Sequence, residues 1–178
     1  TREMEELLLQ GELDLGIAYV QPDSDRILTE KLFDERMMLV VSEHHRHARR
    51  REMHLTQLED QPLILLSPEF PSRQLLLDWF AGAGYRPQIR IEINSTDAIL
   101  ATVRCSGLAT IQTERMASGF TGLRCIPLKP ALTRTVAILW RRAAYRSAAA
   151  RALADMIKQV HSSGAQPGAD VKRPRAAP

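Results

Sequence analysis

Ile89-Arg-Ile-Glu-Ile-Asn-Ser-Thr-Asp-Ala-Ile-Leu-Ala-Thr-Val-Arg-Cys-Ser-Gly-Leu-Ala-Thr-Ile111 carries the pattern that decides the fold. Ile89, Ile91 and Ile93 alternate with Arg90 and Glu92, the period of a strand. Asn94-Ser95-Thr96 then supplies small polar groups of the kind that cap a helix start. Ile99, Thr102 and Val103 follow at helical spacing and point inward, and Gly107 stops the helix. Residues 108–111 read as the next strand. Strand, cap, helix, glycine and strand in that order make one turn of an α/β architecture.

The same alternation extends outward. Residues 2–10 space Met4, Leu7 and Leu8 as a helix, and Gly11 ends it. Leu13, Leu15, Ile17 and Tyr19 then alternate as a strand. Gln21 to Asp25 form a turn. Residues 28–33 are extended, and Met37-Met38-Leu39-Val40-Val41 is an apolar run suited to a buried strand. A polar, basic loop at 42–54 leads to a short helix at 55–60 and a second buried strand at 63–66. Ser67 to Pro71 hold two prolines and read as loop. Ser72 caps a helix carrying Leu76, Trp79, Phe80 and Ala83, ended by Gly82 or Gly84. Strands fit 123–128 and 134–140. A last helix, 147–161, lines up Leu153, Met156, Ile157 and Val160. The expected architecture is a largely parallel α/β sheet.

Composition narrows the function classes. Of 178 residues, 24 are Lys or Arg and 21 Asp or Glu, for a net charge of +3. Residues 1–43 hold eleven acids and four cations, so the basic excess lies further along. Part of it sits at Arg46, Arg49, Arg50 and Arg51, and part in residues 163–178, whose Gly, Pro and Ala content reads as a disordered tail. The positive charge is therefore no signature of nucleic-acid binding. No stretch is apolar enough for a membrane helix and no signal peptide is visible, so the expected setting is cytoplasmic, with no membrane partner. Cys105 and Cys125 make no disulfide framework and read as buried apolar cysteines.

Parallel sheets bind ligands at the carboxyl ends of their strands, where helix amides point outward. Two such junctions carry hydroxyls: Ser67 after 63–66, and Asn94-Ser95-Thr96 after 88–93. Both suit a small anion or carboxylate. Phe70 is a candidate apolar wall, with packing on the following helix as its other role. Tyr19, at a strand end, is a candidate contact or a core tyrosine. No Ser/His/Asp, Cys/His or paired-carboxylate arrangement is visible, and no Gly-rich phosphate loop, so no enzyme and no cofactor is expected. His44, His45, His47 and His54 cluster with arginines that would repel a cation. They read as a surface loop, with no metal site expected.

Leu9-Gln-Gly-Glu-Leu-Asp-Leu-Gly-Ile-Ala18, Leu28 to Val41, Leu55 to Ile64, Glu92 to Arg104 with Gly107 to Ile111, and Val136 to Arg142 together resemble the effector-binding domain of LysR-type transcriptional regulators. Leu65 to Arg73 is similar to the branch containing the cyanate-operon regulator. The resemblance implies a two-lobe, type II periplasmic-binding-protein-like fold with the N-terminal part of lobe I missing. Lobe I would comprise 1–34 and 131–162, and lobe II 35–130. It implies a small anionic effector in an inter-lobe cleft, self-association as a dimer or tetramer, and DNA contact only through a helix-turn-helix domain absent from this chain. Thr1 stands where the family places a hydroxyl facing the ligand. Gln112-Thr113 departs from the family, which often has Leu-Pro there. A solute-binding protein of the same fold is the alternative function.

Overall fold

Two strands run much longer than the hydrophobic pattern alone suggests. Strand β2 (Ile27–Ser42) is continuous through Asp34-Glu35-Arg36, and β7 (Leu123–Arg141) is continuous through 129–133, where the sequence pattern separates 123–128 from 134–140. The polar residues that interrupt the pattern are bonded to one another. The Arg134 guanidinium donates from Nε to Glu35 Oε2 at 2.9 Å, and Thr135 Oγ1 donates to Asp34 Oδ1 at 2.7 Å. Arg134 and Glu35 are almost wholly shielded from water.

The computed structural model describes residues 2–19 and 25–162. In chain order the elements are α1 (Arg2–Gln10), β1 (Gly16–Tyr19), β2, β3 (Met53–His54), a 3₁₀ turn (Leu55–Leu58), β4 (Leu63–Leu66), α2 (Pro71–Gly82), β5 (Ile89–Ile93), α3 (Thr96–Arg104), β6 (Thr110–Thr113), α4 (Glu114–Ala117), β7 and α5 (Ala148–Ser162). The expected tail at 163–178 lies outside the described residues, as do Thr1 and most of the turn after Tyr19. The chain divides into two compact units, residues 34–136 in one and 2–33 with 137 onward in the other. Strands β2 and β7 contribute to both.

In the 34–136 unit, β4 explains why Leu63-Ile-Leu-Leu66 is an unbroken apolar run. Leu63 and Leu65 face a core with Leu39, Met53, Leu76 and Phe80, while Ile64 and Leu66 face Ile99 and Val103. A strand covered on both faces has no polar side. Each such side chain, fully buried, stabilises the fold by about 1.5–3 kcal/mol. The pairing is mixed rather than largely parallel. Strands β4 and β5 are parallel, Leu63 bridges Ala109 in parallel, and β3 is parallel to β7, but β6 runs antiparallel to β2.

Several local expectations shift. Helix α2 starts at Pro71 with Phe70 as its N-cap, so Ser72 is the second helical residue rather than the cap. Proline suits the first position, where its missing N–H costs nothing. In α3 the inward residues are Ile99, Leu100 and Val103. Thr102 instead turns its hydroxyl to the Ala98 carbonyl at 2.7 Å. Strand β6 begins two residues later than the pattern places it. The helix at 55–60 is only the 3₁₀ turn.

The second unit corrects the last helix. Ala150 and Ala154 of α5 are buried against Ile138 and Trp140, with Ile157 partly buried beside them. Leu153, Met156 and Val160 are 48–62% exposed. The small alanines let the helix approach the strands, so the large apolar residues one stripe over stay outside. Gly11, at φ +81°, ends α1 in the left-handed region, and Glu12 N–H closes onto Leu7 O at 2.9 Å. Gly16 has Met4 Sδ 2.4 Å from where a Cβ would stand, so α1 lies close on β1.

Candidate functional site

Strands β5 and β4 pair in parallel, and a parallel bridge from Leu63 to Ala109 sets the start of β6 beside β4. Each strand is followed by a helix, directly after β6, across a short cap after β5 and after the 67–70 turn for β4. Their carboxyl ends deliver Asn94-Ser95-Thr96, Ser67 and Gln112-Thr113 to one edge of the 34–136 unit. Leu66 pairs with Ile93 in the β4–β5 register, and Ser67 N–H donates to the Ile93 carbonyl at 3.2 Å. The Leu63–Ala109 bridge brings Leu66 level with Gln112 on the other side. The sequence pattern identified two of these three ends.

Ser95 has extended backbone angles and accepts from Ala98 N–H through Oγ at 3.4 Å, an ordinary N-cap. The first amides of α3 have no acceptor within the helix. Asp97 already places a negative charge in that first turn, so an anion there meets both the helix dipole and this carboxylate. Thr96 and Ser67 are half-buried. The backbone of Ser67 closes a turn by accepting from Phe70 N–H at 3.2 Å. Phe70 is half-buried and packs on the cluster of Ile64, Leu66, Ile99 and Val103. Tyr19 ends β1 in the other unit and is half-buried. Thr1 lies outside the described residues.

Two residues at this edge escaped sequence reasoning. Arg73 looks like a surface cation in a helix, yet it is only 5% exposed. Its terminal nitrogens donate to Leu66 O at 2.8 Å and Glu92 Oε1 at 2.7 Å. It thereby ties the first turn of α2 to the end of β4 and to β5. Gln112 lies in a strand that is buried along its whole length. Thr113 caps α4 by accepting from Met116 N–H at 3.4 Å. The sign of this in the sequence was Gln112-Thr113 standing where the resembled family often has Leu-Pro.

The histidine loop is organised by backbone contacts. His45 Nδ1 accepts from His47 N–H at 3.1 Å, which leaves Nε2 to donate to the Gly107 carbonyl at 3.2 Å. Both nitrogens are used by the neutral ring. Loss of hydration lowers the His45 pKa below its ordinary value, the Gly107 bond opposes this, and Arg46 adds to the lowering. His47 is lowered in the same way, first by desolvation and then by Arg46, His45 and Arg50. Among the described residues, no three His, Cys, Asp or Glu side chains gather as metal ligands. Cys105 is exposed at the end of α3, contrary to the expectation of two buried thiols, and Cys125 is partly buried. Burial pushes the Cys125 thiol pKa up, with a smaller contribution from Glu114. No described helix is long and apolar enough to cross a membrane.

Comparison with known proteins agrees with this architecture. An uncharacterized HTH-type transcriptional regulator, YwbI, of Bacillus subtilis is 32% identical over 145 residues, 80% of this chain and 48% of the relative. The chain spans about half the length of the curated relatives it matches. The effector-binding domain of QuiR in complex with shikimate superposes with a TM-score of 0.80 at 19% identity, covering 92% of this chain and 79% of that one. The regulatory domain of CcmR from Synechocystis PCC6803, in complex with 2-PG, gives 0.82 at 14% identity, covering 91% and 80%. The fold class is that of these domains, an α/β type II periplasmic-binding-protein-like fold. The LysR substrate binding domain profile matches residues 1–162, and the chain belongs to that family.

Proposed function

We propose that this chain is the effector-sensing domain of a LysR-type regulator and that its effector is a small organic anion. The observation that carries the reading is the row of three parallel strand ends bearing Ser67, Ser95-Thr96 and Gln112-Thr113. Ser67, Ser95 and Thr96 are assigned as polar contacts and Phe70 as an apolar neighbour of the ligand, with Thr1 and Tyr19 as further contacts. Shikimate, the ligand of the QuiR domain, is itself a carboxylate, which supports the chemical class. Binding one conformation better than another shifts the balance between them, and that shift is the regulatory signal. DNA contact through a helix-turn-helix segment outside this chain, self-association as a dimer or tetramer, and action in the cytoplasm belong to the same reading.

Thermal unfolding with a panel of small carboxylates and inorganic anions tests it. A ligand at 100 times its Kd stabilises the folded state by about 2.7 kcal/mol, which raises Tm by roughly 5–10 °C for a chain of this size. The reading fails if no anion raises Tm, or if replacing Ser95 and Thr96 together by alanine leaves the shift unchanged.

A further inference from the structure

Gln112 is 3% exposed, yet its amide makes no hydrogen bond among the described residues. It borders a cavity of about 10 Å³, room for one oxygen-sized group, walled by Met37, Leu65 and Ile111 and shared with Ser72 and Arg73. Arg73 adds a second unsatisfied donor. Its terminal nitrogens are bonded, but Nε is buried without a partner. The Ser72 hydroxyl, half-buried at the same cavity, has no partner among the described residues either. Buried polar groups are nearly always hydrogen-bonded. Arg73 Nε is buried without a partner, and the Gln112 amide and Ser72 hydroxyl at the same cavity, one residue below Ser67 and Thr113, have no protein partner among the described residues, which points to a group that enters from the strand ends.

We propose that this cavity is the specificity pocket of the effector site and takes one carboxylate oxygen of the ligand, with Arg73 Nε–H and the Gln112 amide N–H donating to it. The inference rests on the anion-binding reading above. The guanidinium offers only donors, and the amide adds two more. Glu92 already neutralises part of the Arg73 charge, so recognition depends on aimed hydrogen bonds in a dry setting rather than on bare attraction. The apolar walls and the small size exclude a hydrated inorganic ion. A carboxylate can present one oxygen while its carbon frame stays outside.

The test is Gln112→Leu, with Gln112→Glu as the second variant, compared with the unaltered chain by thermal unfolding in acetate, pyruvate, benzoate, inorganic phosphate and sulfate. Carboxylates are expected to stabilise the unaltered chain more than phosphate or sulfate do. Gln112→Leu removes a buried group without a partner, so its ligand-free Tm is expected to equal or exceed that of the parent. Its Kd for the best carboxylate is expected to rise about tenfold or more, the loss of one charge-assisted hydrogen bond. Gln112→Glu places a carboxylate beside Arg73 and is expected to abolish the shift. It decides the matter if the leucine variant does not fold. An unchanged Kd in either variant overturns the proposal while leaving the effector reading intact. A ligand-free Tm lowered by about 5 °C or more in Gln112→Leu also overturns it, because the amide then holds a structural water. A parent chain that responds to none of the five anions overturns both readings.

Discussion

Arg73 and Glu92 form an ion pair of 2.7 Å in which one partner is buried and the other, 44% exposed, reaches water. This asymmetry orders the cost of breaking it. Glu92→Ala strands a buried cation that already has one unsatisfied nitrogen, and exposure of the lost carboxylate limits the cost to about 2–3 kcal/mol. Arg73→Met leaves Glu92 solvated and orphans only the Leu66 carbonyl, for about 1–2 kcal/mol. Urea unfolding of the two variants checks the order. If Arg73→Met is the more damaging, packing of the arginine stem outweighs the pair.

At the start of α3, capping and ligand contact separate by residue. Ser95→Ala removes an N-cap bond that is long at 3.4 Å, so a loss near the low end, about 0.5 kcal/mol, is expected. Thr96→Ala touches no described hydrogen bond and is expected to change ligand-free stability by less than about 0.5 kcal/mol. If Thr96 contacts the effector, its alanine variant shows a normal ligand-free Tm and a reduced anion shift. Both quantities come from one unfolding series.

The neutral His45 ring makes the 42–50 loop acid-sensitive. Its folded pKa is depressed, so between that value and the ordinary one, about 6.5, the unfolded chain holds the proton and the folded chain does not. Stability contributed by His45 is therefore complete above about pH 6.5 and is lost as pH falls through that window. His47 acts in the same direction, and Arg46 and Arg50 face the pair. Comparing Tm from about pH 8 to about pH 5 in the parent and in His45→Asn checks this, the variant showing the shallower fall. Glu30, held down chiefly by the Lys158 hydrogen bond against a desolvation penalty, with Arg146 assisting, contributes stability that is lost only at lower, carboxylate pH.

On α5 the alanines matter more than the leucine. Ala154→Leu forces a large side chain against Ile138 and Trp140 and is expected to cost about 1–3 kcal/mol. Leu153→Ser, on the exposed stripe, is expected to change stability by less than about 0.5 kcal/mol in the dissociated chain. Chemical unfolding at low protein concentration measures both. A larger loss for Leu153→Ser would mean that this stripe is covered in solution.

Periodicity and caps located most elements because they are local. The alternation of Ile89, Ile91 and Ile93, the Ser95 cap and the stop at Gly11 all act over a few residues and survive into the fold. What was misread depends on partners distant in sequence. Strand β2 continues through Asp34 and Glu35 only because Thr135 and Arg134, about a hundred residues away, bond to them. The face of α5 was inverted because side-chain size was weighed without knowing how closely the helix approaches β7.

By itself, the sequence determined the α/β class, the order of most of its strands and helices, and two of the three polar strand ends, because backbone propensity and hydrophobic period are short-range. Only the tertiary structure decided that Arg73 turns inward and that Gln112 faces a cavity with it. Parallel pairing of β4 with β5, and the bridge from Leu63 to Ala109 just before β6, bring residues 66, 92 and 112 together. Whether a polar side chain is paired or left waiting is settled there, by neighbours that no local pattern encodes.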